Sequence, residues 1–69
     1  MQSQDILHKG KTYRIISEGL TIIHPDEVIV AIFDVSTPGS AKEVQRFTGR
    51  AEKELYGLLN QARKYVDSL

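Results

Sequence analysis

The chain has 69 residues, with nine basic and nine acidic side chains, no cysteine, 41% hydrophobic and 26% charged residues. That composition belongs to a folded globular chain and excludes a disulfide framework and a thiolate zinc site. Zero net charge gives no global attraction to nucleic acid or an anionic membrane.

At this length a single core supplies only about 3–5 kcal/mol of stability. Self-association is therefore the economical way to cover leftover apolar surface. His8 and His24 are the only imidazoles and have no metal-ligand spacing, so neither a metal nor another cofactor is expected. The longest apolar run is six residues, too short for a membrane span. Met1 to Asp5 lacks the basic and apolar stretches of a secretory signal. The expectation is a single small domain over residues 1–69, cytoplasmic and without a membrane partner.

Turn chemistry divides the first forty residues. Lys9-Gly10 and Glu18-Gly19 place glycine where a tight turn needs a positive φ, and Pro25-Asp26 and Pro38-Gly39 fit type I and type II turns. The spacing predicts a meander with strands at about 4–8, 11–17, 20–24 and 27–35. In the second of these Tyr13 and Ile15 share one face, while Thr12, Arg14 and Ile16 share the other.

Val28 to Phe33 are six apolar residues fenced by Glu27 and Asp34. A strand with one wet face alternates, so this run calls for cover above and below the sheet. Only one good covering helix follows. A second copy, a larger protein partner or closure into a small barrel would cover the other face. Val28, Val30 and Ile32 are the candidate contact residues. Asp34 continues their face, either hydrated at the sheet margin or partly buried with a raised pKa.

Residues 40–48 admit two readings. Ser40-Ala41-Lys42-Glu43 is a good capping box, which would start a helix running to the end of the chain. A helix that long would carry Gly49 inside it, at about 0.8–1 kcal/mol relative to alanine, and would overreach so small a sheet. A fifth strand at 42–48, with Thr48 capping a shorter helix, is the preferred reading. That helix spans about 50–67. Ala51, Leu55, Leu58, Leu59, Ala62, Tyr65, Val66 and Leu69 fall on one stripe and pack on one sheet face. Tyr56 points outward, either as a surface ring along the Arg63 stem or as a contact anchor.

Catalytic constellations are lacking. The serines have no nucleophile-elbow pattern, His24-Pro25-Asp26 reads as a turn rather than an acid/base pair, and the glycines form no phosphate loop. An enzyme is not expected. The strands ending at Val44-Gln45-Arg46-Phe47-Thr48-Gly49, followed by one helix, resemble in topology the three-strand-plus-helix layout of recombinase arm-binding and AP2-type DNA domains, which read DNA with residues on the sheet. That resemblance covers topology only, over the last two-thirds of the chain, and implies phosphate or base-edge contacts by Arg14, Lys42 and Arg46, with Lys9, Lys11 and Arg50 as flanking phosphate neutralisers. The resulting expectation is an α+β domain of ββββα or βββα type, an antiparallel meander sheet of four or five short strands with one C-terminal amphipathic helix. Its expected role is non-catalytic binding, as a homodimer or on a larger protein, with sheet-mediated nucleic-acid binding as the alternative.

Overall fold

The computed structural model describes residues 2–18, 27–50 and 52–69. Four strands, β1 (Gln2–His8), β2 (Lys11–Glu18), β3 (Glu27–Asp34) and β4 (Lys42–Arg50), form one antiparallel sheet in the order β1-β2-β3-β4. A 3-10 turn at Glu52–Glu54 leads into helix α1 (Leu55–Asp67). The backbone is 15 Å deep in its shortest direction, the thickness of one sheet and one helix. The predicted strand at 20–24 and the His24-Pro25-Asp26 turn lie outside the described residues.

β1 and β2 are joined by Lys9 (φ 52°) and Gly10 (φ 78°), the paired positive φ angles of a type I′ hairpin. A two-residue loop makes its flanking residues, His8 and Lys11, a hydrogen-bonded pair. Bonding then alternates down the ladder, so β1 spends the backbone groups of Gln2, Gln4, Ile6 and His8 on β2. The same parity turns Thr12 toward β3, where its carbonyl accepts the Val35 N–H at 3.0 Å.

The core lies between the sheet and α1. Tyr13 and Ile15 from β2 join Val28, Val30 and Ile32 from β3, and α1 adds Leu58, Ala62 and Val66 at spacings of four. Phe47 and Tyr65 close one flank, their rings 6.2 Å apart and edge to face. β1 and β4 pair with nothing further among the described residues. Among the described residues the sheet is therefore open, and they form no closed barrel.

Residues 42–50 are strand, against the helix that the Ser40 capping box offers. Pairing Phe47 with Val30 and Gly49 with Val28 completes the core at its β4 side, and no local cap can match that burial. Val44 is an extra residue, because Ile32 faces Gln45 while Phe33 faces Glu43. The helix begins later than its apolar stripe predicts, at Leu55 rather than near residue 50. Thr48 is inside β4 and caps nothing. A Cβ on Gly49 would sit 2.6 Å from Glu54 Oε2 and 3.1 Å from Leu58 Cδ1, so this glycine serves the close approach of α1 to the strand.

Candidate functional site: the open sheet face and its edges

Strand alternation divides the β3 run between two faces. Val28, Val30 and Ile32 point under α1 and retain no exposed surface, so the expectation that they contact a partner is corrected. Ile29, Ala31 and Phe33 point to the opposite face. No described residue lies over them as a third layer.

The register builds that open face in rows. Asp5, Arg14, Phe33 and Glu43 lie side by side across the four strands, and the next row is Ser3, Ile16, Ala31 and Arg46. Glu18, Ile29 and Thr48 form the row beyond. The centre is thus apolar, with Ile16, Ile29 and Phe33 half-buried and Ala31 only 6% exposed in the hollow between Ile16 and Arg46. Ion pairs bound it on both sides. Arg14 donates to both Asp5 carboxylate oxygens, at 2.9 and 3.3 Å, and Arg46 Nε donates to Glu43 Oε1 at 2.7 Å. The Arg14 hydrogen bond holds the Asp5 carboxyl below the usual carboxylate range, and Asp5 in turn raises the guanidinium.

Arg14, Arg46 and Arg50 share this face by alternation. Lys42 does not, because it is paired with Asp34 on the helix side of the sheet, beyond the bulge. Two of the three arginines are already matched by carboxylates. Asp34 lies at the strand end, where it accepts the Ser36 N–H at 3.0 Å. That bond lowers its pKa, helped by the Ser36 hydroxyl and by Lys11 and Lys42, so of the two readings of Asp34 the raised pKa is not the one found.

Tyr56 is exposed as expected, at 79%. It stands at the lip of a cleft of about 220 Å³ between β1 and α1, with Gln4, Ile15, Ser17, Leu59 and Arg63 among the lining residues. Arg63 Nη2 donates to Gln4 Oε1 at 3.2 Å, while Gln4 Nε2 is buried without an acceptor. A second, more polar cleft of about 440 Å³ lies beside Arg14 and Thr12 under the loop 37–41.

The two edges of the sheet differ, which residue-type reasoning missed. On β4 the parity of bonding turns the N–H groups of Arg46 and Arg50 outward, along with that of Thr48, which no described side chain occupies. Gln45 Oε1 accepts the first at 3.0 Å and the Glu54 carboxylate accepts the second. With the bulge at Val44, the edge is blunted. On β1 the outward groups belong to Ser3, Asp5 and Leu7, and no described side chain occupies their N–H groups. No sequence signal short of the register reveals this contrast.

Among the described residues no helix is long and apolar enough to cross a membrane, and no cluster of three metal-ligating side chains occurs. Comparison with protein-family models, curated proteins and solved structures found no match.

Proposed function

We propose that this chain is a non-catalytic interaction domain that self-associates by closing its open sheet face against a second copy. The observation that carries this reading is the apolar centre of that face, Ile16, Ile29, Ala31 and Phe33, beside a body only two layers deep. Four strands about 4.8 Å apart and about eight residues long at about 3.3 Å each present about 500 Å² per copy. Two copies would bury about 1,000 Å², the lower limit of a specific interface. The expected dimer is therefore reversible.

Its anatomy fits that role. An apolar centre with charges already paired at its margins matches the core and rim of an interface, and a twofold axis sets the same patch on both copies. The nucleic-acid alternative has less support, since Arg14 and Arg46 are neutralised by Asp5 and Glu43 and Lys42 lies on the other face.

Light scattering on size-separated protein over a wide concentration series tests the reading. The mass is expected to rise toward twice that of the chain, and Phe33→Glu to hold it at one. A wild-type chain that remains monomeric at the highest concentrations overturns the proposal.

A further inference from the structure

We propose that the cleft between β1 and α1 is a binding site for a small organic carboxylate, with Arg63 as the cation that receives it. The cleft lies on the helix side of the sheet, away from the open face, and the proposal does not rest on the self-association reading.

Three observations converge on this cleft. The first is charge. Tyr56, Leu59 and Arg63 recur at spacings of three and four, so α1 turns them to one wall, facing Gln2 and Gln4 of β1 across about 220 Å³. No acidic residue belongs to the lining. Arg14 and Arg46 each donate to a carboxylate, whereas Arg63 makes no ion pair among the described residues, not even with Asp67 one turn along the helix.

The second is position. Arg63 Nη2 donates to Gln4 Oε1 at 3.2 Å. A neutral amide therefore holds the guanidinium without cancelling its charge. Only one of the five donors of that planar fork is spent in this way. The fork matches a planar carboxylate through two parallel bonds.

The third is a buried hydroxyl at the cleft. Ser17 is only 5% exposed and stands where the alternation of Tyr13 and Ile15 calls for another apolar residue. Its Oγ donates to the Gln2 carbonyl at 3.5 Å, the long limit of a hydrogen bond. Gln2 and Ser17 are a hydrogen-bonded pair of the ladder, so that carbonyl already accepts the Ser17 N–H. The hydroxyl can turn to a ligand oxygen without stranding it.

The remaining lining sets the body of the ligand. Ile15 and Leu59 are apolar, and the exposed Tyr56 ring stands at the lip. A cleft smaller than the roughly 300 Å³ at which pockets for drug-sized molecules begin admits a carboxylate and one short apolar group, but not a nucleotide. A bare inorganic anion would leave Ile15 and Leu59 without apolar contact.

Benzoate titrated into the wild-type protein and followed by NMR shifts tests the proposal, with benzamide as the neutral analogue and inorganic phosphate as the bare anion. Benzoate is expected to give saturable shifts at Ser17, Leu59 and Arg63. Benzamide and phosphate are expected to bind at least about ten-fold more weakly, the scale of one lost charge-assisted hydrogen bond. Arg63→Gln should lose benzoate binding by a similar factor. Lys64→Gln removes the same charge from the next residue, outside the cleft, and should retain binding. Circular dichroism checks that both variants are folded, and the comparison of benzoate with benzamide needs no variant. Absence of saturable shifts, benzamide binding as tightly as benzoate, or equal losses in Arg63→Gln and Lys64→Gln overturn the site. Phosphate binding as tightly as benzoate overturns its assignment to an organic carboxylate.

Discussion

The carboxylate of Glu54, one residue before α1, accepts the backbone N–H of Arg50 at the end of β4. Glu54 thus ties the strand to the helix across a reversal of four residues. It has no side-chain bond to the helix it precedes. The carboxylate serves the sheet edge, and Gly49 leaves the space it needs.

Glu54→Ala is expected to lower stability by about 1 kcal/mol, the usual scale for losing one charge-assisted cap of a backbone N–H. The Arg50 amide should also exchange faster, because its outward N–H returns to water. A denaturant midpoint and amide exchange check both effects. Exchange at Arg50 that does not change would mean that Glu54 does not hold this edge.

Ile32→Ala probes how little stability there is to lose. Ile32 is fully buried between α1 and its neighbours in the sheet, and truncating such a side chain costs about 2–5 kcal/mol. A domain of this size has about 3–5 kcal/mol in all. The variant is expected to be largely unfolded at 25 °C by circular dichroism, whereas Ile29→Ala, on the open face, should retain the native signal.

Much of this architecture was legible in the chain. Lys9-Gly10 located the first hairpin, the alternation of Tyr13 and Ile15 identified the buried face of β2, and the stripe through Leu58, Ala62 and Val66 identified the helix face. Val28 to Phe33 is where the pattern misled. An unbroken apolar run identifies a central strand but does not say which alternate residues meet the helix, so the open side, Ile29 and Phe33, went unnamed. The helix start was hidden for a different reason. Arg50 extends β4 through pairing with Glu27, a contact across the sheet that local propensity does not encode. The contrast between the two edges likewise depends on backbone parity, which appears only once the register is known.

Asp34 sets an acid dependence with a definite sign. Its pKa is lowered by the Ser36 N–H and hydroxyl, so its contribution is fully present above the unfolded value of about 3.9 and is lost as pH falls through the lower folded value. Asp5 acts in the same direction through Arg14. The denaturant midpoint of the wild type is expected to fall as pH drops below about 4. Asp34→Ala should start lower at neutral pH and converge on the wild type in acid. Parallel curves for the two proteins would place the acid sensitivity elsewhere.

The paired arginines of the open face make the nucleic-acid alternative sharply testable. Arg14 and Arg46 each have a carboxylate at hydrogen-bond distance, so a phosphate would have to displace Asp5 or Glu43 before gaining either cation. Wild-type protein is expected to show no binding to duplex or single-stranded probes at about 0.15 M salt, where electrostatic contacts are strongly weakened. Asp5→Asn together with Glu43→Gln removes two negative charges and frees both guanidinium groups. That variant should gain weak binding, with a log–log salt slope no steeper than about −2, because each neutralised phosphate contributes about −0.9 on a duplex. A wild-type chain that already binds with a steeper slope would show that Arg50 and cations beyond these two form a continuous phosphate track. The open face would then be a nucleic-acid surface, and its closure by a second copy would compete with binding instead of completing the domain.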